Sequence, residues 1–267
     1  MHERFKALPD GISEFTFASI YLFRDAHKYG ISKLNQDSFV IVGRDADPFF
    51  MLPFGLPERT VLDDLFGSYN TMKCVAESQC EPLSDMGYHV VEDRDNFDYL
   101  YLRQDLVQLA GRKLHKKKNL INLFVRNHTC VAKPLLEDYT DDAMRILENW
   151  KHQRDDPGDY LAAKEALERM EQLQLCGGIF YVENEPVAYC LGEELALGKT
   201  FVIHFEKAVA KEEYKGVYQF INQVFASVLP DKYETINREQ DLGDLGLRQA
   251  KASYKPVGFV KKYKATK

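Results

Sequence analysis

The chain has 267 residues, of which 45% are apolar and 28% charged, and its formal net charge is -6. A chain of this length buries roughly 75% of the surface that it exposes when unfolded, so one large or two ordinary domains are expected without disulfide or metal support. No apolar run approaches the length of a membrane-spanning helix, and the amino-terminal MHERFKALPDG lacks the basic and apolar regions of a signal peptide, so a cytoplasmic protein without an integral membrane segment is predicted.

The five cysteines include no C-x2-C pair, and no histidine cluster accompanies them at metal-ligand spacing. Reduced thiols and no metal site are therefore expected. Charge is segregated along the chain: residues 112–118 carry five Lys or Arg and no acid, residues 248–267 carry seven and no acid, and residues 137–171 hold 11 acids against five Lys and Arg. Such zones indicate steering and solubility rather than a fold.

The first half of the chain predicts a mixture of helices and strands. Residues 13–30 have near-helical apolar spacing and end at a glycine. Two apolar runs, SFVIVGRD and FFMLPFG, predict a hairpin. They are followed by a helix over 59–69, strands over 88–92 and 98–102, and a long helix over 105–119 with one apolar and one basic side.

In the second half, residues 141–154 predict a helix that Pro157-Gly158 ends, and Asp159 caps a further helix to about Leu175. The runs GGIFYVENEPVAYCLGEEL and KTFVIHFEKAVA predict strands. A helix over 216–229, a strand over 233–237, a helix and a last strand complete the order helix, helix, strand, turn, strand, strand, helix, strand, helix, strand.

The end of the chain carries a spaced motif. Ala250, Tyr254, Gly258 and Phe259 form A-x3-Y-x3-G-F after the strand-like YETIN. This arrangement resembles the way in which the acyl-transferring GNAT fold closes its sheet. The resemblance implies that Tyr254 acts as the acid that protonates the leaving group, whereas a short helix, a turn and a strand in ordinary packing remain the alternative.

Four separated segments extend the resemblance to the whole chain: YLRQDLVQLAGRKLHKKKNLINLF, HFEKA, YKGVYQFINQVFA and NREQDLGDLGLRQAKASYKPVGF. Together they resemble the family of the phosphatidylglycerol lysyltransferase carboxy-terminal domain. The resemblance implies an α/β (α+β) fold of two GNAT-like domains in tandem, each a mixed, mostly antiparallel sheet flanked by helices. Residues 1–132 would form a degenerate first domain, and residues 133–267 would carry the active site.

Named relatives in that family move an aminoacyl group from a charged transfer RNA to a lipid, and more distant ones build peptidoglycan cross-bridges or transfer acyl groups from coenzyme A. GNAT acetyltransferases hold the coenzyme A pyrophosphate at a helix start with R/Q-x-x-G-x-G/A. Here Gly216 is kept, but Glu213 and Tyr218 replace the basic and small residues. A carboxylate about 5 Å from a phosphate is unfavourable by roughly 3 kcal/mol at a dielectric near 20, so acyl-CoA is disfavoured as a cofactor.

The predicted strand KTFVIHFEKAVA contains a candidate general base. Alternation predicts His204 and Glu206 on one side and Lys207 on the other. An amine acceptor must lose a proton, and we expect Glu206 to accept it. The alternative is a strand with one solvent-exposed face, on which Glu206 forms an ion pair with a lysine.

Residues 112–118 have three interpretations: a solvated helix face, a contact to an RNA backbone, or a contact to anionic lipid. The candidate polyanion-binding residues are Arg112, Lys113, Lys116, Lys117 and Lys118. The candidate substrate-binding residues are His204, Lys207, Lys215, Gly216, Val217, Tyr218, Asn237, Glu239 and Asp241. The last three lie where a GNAT sheet opens, and Asp241 is the first residue of the inserted DLGDLGL.

Three functional hypotheses follow. The first is an acyl- or aminoacyltransferase with Glu206 as base and Tyr254 as acid, in which the two basic zones hold an aminoacyl-tRNA donor for a small-molecule or lipid-headgroup acceptor with an amine or hydroxyl. The second is an acyl-CoA-dependent N-acetyltransferase. The third is a catalytically silent binding protein that keeps the fold. The sequence makes no prediction of oligomeric state.

Overall fold

Within residues 1–35 and 38–267, which the computed structural model describes, the chain forms helices and two sheets. The helices are α1 (His2–Lys6), α2 (Phe17–Leu22), α3 (Arg59–Ser68), α4 (Glu77–Asp85), α5 (Arg103–Gln108), α6 (His115–Asn127), α7 (Thr140–His152), α8 (Tyr160–Glu168), α9 (Val217–Val228) and α10 (Leu245–Ala252). The strands are β1 (Gly30–Lys33), β2 (Phe39–Arg44), β3 (Pro48–Met51), β4 (Thr71–Val75), β5 (His89–Glu92), β6 (Asp98–Leu102), β7 (Cys130–Pro134), β8 (Cys176–Val182), β9 (Glu185–Leu195), β10 (Thr200–Ala208), β11 (Thr235–Asn237), β12 (Gly258–Val260) and β13 (Tyr263–Thr266).

One sheet has the order β1-β2-β3-β4-β13-β5, and the other has the order β12-β6-β11-β10-β9-β8-β7. The pairs β3–β4 and β10–β11 are parallel, and the other pairs of the described strands are antiparallel. The predicted α/β class with mixed, mostly antiparallel sheets is therefore confirmed.

The larger sheet is covered on both faces. Side chains of α5, α6 and α9 form a core with one face, and those of α2, α7 and α8 form a core with the other. The smaller sheet packs against α3 and α4. Residues of β8, β9 and β10 are buried almost throughout because both faces are covered.

Each sheet takes a strand from the other end of the chain. β6 precedes the predicted boundary near residue 132 but pairs with β11 and β12 in the larger sheet. β13 is the last strand of the chain but pairs with β4 and β5 in the smaller one. The division into 1–132 and 133–267 stays a prediction, and the exchanged strands tie the two sheets together.

Two predicted helices differ from the structure: one is shorter than predicted, and the other is broken in the middle. The predicted helix over 13–30 is helical only from Phe17 to Leu22. The predicted helix over 105–119 is broken into α5 and α6, because Leu109 and Gly111 adopt positive φ angles of 44° and 78° between them. The break divides the basic segment between the connection before α6 and the first turn of α6, a separate helix that packs on α9.

Candidate active site at the opening between two strands

The larger sheet opens where β10 and β11 separate. These parallel strands are paired only from Thr200–Val202 to Thr235–Asn237, although β10 continues to Ala208. The chain that leaves β11 enters the opening. There the Arg238 side chain reaches β10 on the α9 face, and the Glu239 side chain reaches β10 on the opposite face.

A bulge in β10 corrects the predicted alternation. The register of β10 against β9 shifts between Ile203 and Phe205, which leaves His204 without a paired residue. Ile203 and Ala208 consequently lie in the same core, although an odd number of positions separates them. The expectation that His204 and Glu206 share a face is wrong, because the bulge turns them to opposite faces.

Glu206 is held by two partners on the α9 face. Asn222 Nδ2 donates to its two carboxylate oxygens at 3.0 and 3.1 Å, and Arg238 Nη2 lies 3.3 Å from both. The Glu206 and Arg238 side chains are only 12% and 15% exposed. This pair is therefore largely screened from water, and its charges act on neighbours at lower dielectric.

Tyr254 packs beside the same arginine. The Arg238 guanidinium carbon lies 5.1 Å from the Tyr254 ring centroid, and Lys117 Nζ lies 4.3 Å from it. Tyr101 contacts the ring edge-on at 6.3 Å. Burial raises the pKa of Tyr254 to about 12, against the opposing effect of Arg238. The phenol is therefore protonated at neutral pH and can donate a proton.

On the other face, His204 lies between two carboxylates. Its Nε2 is 3.1 Å from Glu193 and its Nδ1 is 2.7 Å from Glu239. Burial alone lowers the pKa of His204, but the hydrogen bonds to the two glutamates outweigh it and raise the pKa to about 10. Both ring nitrogens point at carboxylates, an arrangement that favours the imidazolium and leaves it no free lone pair, and the contact holds the Glu239 side chain in place.

We predict that the His204 ring does not titrate between about pH 5.5 and about pH 8.5, because its pKa lies well above the ordinary 6.5. The measurement is an NMR titration of the imidazole signals, with His204→Gln used to assign the signal. Exposed histidines in the same spectra are the internal control. A midpoint near 6.5 for His204 would contradict the prediction.

The start of α9 packs closely against α6. Gly216, with φ of 102°, is the residue before α9, and a Cβ atom placed on it would lie 2.6 Å from the Leu120 carbonyl oxygen of α6 and 3.3 Å from Phe124 Cβ. Burial raises the pKa of the half-buried Tyr218 hydroxyl to about 12. Helix α6 thus packs directly on Gly216, the residue that the motif comparison assigns to the coenzyme A pyrophosphate in GNAT acetyltransferases.

The side chains of three other candidate substrate-binding residues do not lie beside those of Glu206 and Tyr254. Lys215 is exposed and 3.9 Å from Glu212, and Val217 is buried in the core. Lys207 donates to Asp159 at 2.5 and 2.7 Å and lies over Trp150, on the face opposite Glu206.

Two further candidates hold the backbone near the opening. Asn237 is fully buried; its amide donates to the Gly11 carbonyl, and its oxygen accepts from the Glu239 N–H at 2.8 Å. Asp241, also fully buried, accepts from Arg248, and that hydrogen bond together with one from Tyr99 outweighs burial and holds its pKa well below the ordinary range.

The two basic zones differ in their partners. Within the described chain, none of the five Lys and Arg residues of 112–118 forms an ion pair with a carboxylate, and all of them are exposed except the half-buried Lys117. Five of the seven Lys and Arg residues of the second zone form ion pairs within the chain: Arg248 with Asp95 and Asp241, Lys261 with Glu92, Lys262 with Glu14 and Asp98, Lys264 with Asp93, and Lys267 with Asp63. The expectation of two free basic patches therefore holds only for 112–118.

A model of the phosphatidylglycerol lysyltransferase C-terminal family matches residues 5–266. The chain belongs to this family. The resemblance read from four separated segments is confirmed, and it supports an aminoacyl- or acyltransferase in general.

A curated relative, an uncharacterized protein of Mycoplasmoides gallisepticum, is 22% identical over 173 residues, which are 62% of this chain and 54% of that protein. The chain thus spans about half the length of that relative. A conserved protein of unknown function from Bacteroides thetaiotaomicron VPI-5482 has a TM-score of 0.87 and 29% identity, over 99% of this chain and 96% of that chain.

Two more distant structures show the fold. L-PGS from Bacillus licheniformis has a TM-score of 0.61 and 13% identity, over 93% of this chain and 90% of that chain. FemX has a TM-score of 0.64 and 7% identity, over 99% of this chain and 94% of that chain. The GNAT-like fold of this member of the phosphatidylglycerol lysyltransferase C-terminal family is therefore confirmed.

Sequence reasoning missed two residues of the opening in this family member. Asn222 is a polar residue on the apolar face of α9, next to the buried Ile221, and that exception to the pattern is the signal that could have found it. Lys251 Nζ donates to the carbonyls of Arg238 and Gln240 at 2.5 Å, and burial lowers its pKa to about 8. Lys251 thereby holds the loop that carries Arg238.

Among the residues that the structure describes, no helix combines the length and apolarity that crossing a bilayer requires. In the same residues, no group of three His, Cys, Asp or Glu side chains is arranged to hold a metal ion.

Proposed function

We propose that this protein is an aminoacyltransferase that takes its donor from aminoacyl-tRNA and transfers the aminoacyl group to an amine or hydroxyl of a small molecule or lipid headgroup. The observation that carries the proposal is the basic segment 112–118, whose five cationic side chains have no internal carboxylate partner in the described chain. They lie in the first turn of α6, which borders Tyr254, and in the connection just before it. Free cationic side chains bind phosphate backbones regardless of sequence.

The covered start of α9 favours this donor over coenzyme A. A pyrophosphate would require the backbone near Gly216, and the Leu120 carbonyl and Phe124 of α6 already pack against that residue. The phosphates of a nucleotide-linked donor that binds the outer side of α6 need no access to the backbone near Gly216. A cytoplasmic location, where aminoacyl-tRNA is available, is part of the proposal.

In the proposed reaction the acceptor nitrogen or oxygen attacks the carbonyl carbon of the aminoacyl ester, and Glu206 takes the proton that the acceptor loses. Arg238, which lies 3.3 Å from Glu206 and 5.1 Å from the Tyr254 ring centroid, stabilises the negative charge of the tetrahedral intermediate. The bond from the carbonyl carbon to the ribose oxygen then breaks, and Tyr254 protonates that oxygen. Asn222 orients the Glu206 carboxylate for the first step.

We predict that the triple variant Lys113→Ala, Lys116→Ala, Lys118→Ala binds unfractionated tRNA at least about tenfold more weakly than wild type at low salt. Its slope of log K against log salt should be shallower by about two to three units, since each lost phosphate contact removes about 0.7 to 0.9 units. Binding is measured by fluorescence anisotropy over a salt series.

The matched control removes three lysines that are paired internally, Lys261→Ala, Lys264→Ala and Lys267→Ala. It changes the net charge equally but should leave the slope unchanged. Equal loss in both variants would indicate a general charge effect. Wild-type binding that is absent, or unchanged between low and high salt, would overturn the RNA donor, and thermal stabilisation by millimolar acetyl-CoA would then return the choice to coenzyme A.

A further inference from the structure

One residue of the basic segment differs from the other four. Arg112, Lys113, Lys116 and Lys118 are exposed, whereas Lys117 is half-buried and turns inward. Its Nζ lies 4.3 Å from the centroid of the Tyr254 ring. The segment therefore reaches from the protein surface to the proposed acid of the transfer reaction.

The ammonium group of Lys117 has no carboxylate partner within ion-pair distance among the described residues. The Tyr254 ring that it contacts is also contacted by another cation, Arg238, which Glu206 already pairs. Burial, and secondarily Arg238, lowers the pKa of Lys117. A cation that is partly removed from water and faces another cation gains most from an incoming anion.

The surroundings of Lys117 extend this cationic environment outward. An open cavity of about 500 Å³ at the α5–α6 connection is lined by Leu109, Ala110, Gly111, Arg112, His115 and Lys118, with no acidic residue. Inward, the Leu120 carbonyl packs on Gly216 and fixes α6 against α9. Lys117 thus lies between a basic cavity and the opening of the sheet, on a helix whose position is fixed.

We infer that Lys117 binds the phosphodiester that lies closest to the reacting ester of a nucleotide-linked donor, while Arg112, His115 and Lys118 take phosphates further along the same strand. This inference rests on the proposed function and adds a specific subsite to it. A phosphate held beside Tyr254 fixes the distance between the first nucleotide and the phenol, so Lys117 determines the register in which the ester enters.

The test uses 3′-aminoacylamino-3′-deoxyadenosine, in which an amide replaces the ester, in lysyl and alanyl forms, each with and without a 5′-phosphate. Isothermal titration calorimetry gives the dissociation constants. Wild type should bind the phosphorylated form about tenfold or more tightly than the unphosphorylated form. Lys117→Met should bind both forms equally, and Lys117→Arg should restore part of the preference. The control Lys164→Met, at a partly exposed lysine of α8 outside the basic segment, should keep the preference.

The outcomes separate the inference from the proposed function. A phosphate preference that survives in Lys117→Met, or no binding of either form by a wild type that binds tRNA, overturns the inference and leaves the donor class standing. No binding of tRNA or of either nucleoside overturns the proposed function itself. If glycerophosphoglycerol, the phosphatidylglycerol headgroup, binds wild type and loses affinity in Lys117→Met while the nucleotides do not, Lys117 reads a lipid phosphate and the inference fails.

Discussion

Tyr254→Phe will lower kcat for aminoacyl transfer about 100-fold and leave KM for the donor within about twofold. The substitution keeps the ring that packs against Tyr101, Lys117 and Arg238 and removes only the hydroxyl. Because burial raises the pKa of Tyr254 to about 12, the wild-type phenol carries its proton at neutral pH. Without that proton the ribose oxygen must leave as an alkoxide or take its proton from water.

The measurement follows the release of a labelled aminoacyl group from aminoacyl-tRNA, with a panel of amines and phosphatidylglycerol vesicles as acceptors. The matched control is Tyr233→Phe, which removes a tyrosine hydroxyl from the same core, where it donates to Glu194 at 3.2 Å, away from the opening of the sheet. The control should keep kcat. An unchanged kcat in Tyr254→Phe would remove Tyr254 as the acid, and an absence of transfer in wild type with every acceptor would favour the catalytically silent protein.

Local patterns of the sequence predicted most of the elements that build the larger sheet. β8, β9, β10 and α9 lie where apolar runs and helical spacing indicated them, because buried strands and amphipathic helices impose periods that the sequence must satisfy. The closing motif likewise predicted α10 and β12. The sequence therefore located Glu206 on the correct strand, whereas Tyr254, which the motif predicts on the closing helix, lies in the turn just beyond the end of α10.

The predictions that the structure corrects concern features that depend on contacts between segments far apart in the sequence. The bulge at His204 is stabilised by Glu193 and Glu239, which lie far from it in the sequence. No local sequence pattern therefore indicated that the alternation of side chains between the two faces of β10 would be interrupted there. The break between α5 and α6 follows from Leu109, an apolar residue with positive φ that the helical pattern included. Charge counts treated residues 248–267 as one basic zone, although its carboxylate partners lie as far away as Glu14.

Two of those long-range ion pairs share Lys262, which is fully buried. Its Nζ donates to Asp98 at 2.6 Å and also to Glu14. Asp98, also fully buried, accepts from the Ser13 N–H at 2.9 Å and from Asn237 at 3.1 Å. Lys262 lies on the link between β12 of the larger sheet and β13 of the smaller one, so this cluster joins the amino-terminal segment to both sheets.

Lys262→Met will lower the free energy of unfolding by about 3–5 kcal/mol, because it leaves the buried carboxylates of Asp98 and Glu14 without their cation. The apolar stem is kept, so the loss comes from charge and not from a cavity. Urea unfolding followed by circular dichroism measures it. The neighbouring Lys261→Met is the matched control, since Lys261 and its partner Glu92 are 42% and 52% exposed and such pairs contribute at most about 1 kcal/mol.

A second variant tests the cause. The triple change Lys262→Met, Asp98→Asn, Glu14→Gln removes the cation and both carboxylates together, and should recover part of the stability that Lys262→Met alone loses, because no uncompensated charge stays buried. If Lys262→Met costs no more than Lys261→Met, the cluster does not hold the two sheets together. If the triple variant is as unstable as the single one, the geometry of the hydrogen bonds at Asp98, rather than its charge, accounts for the stability.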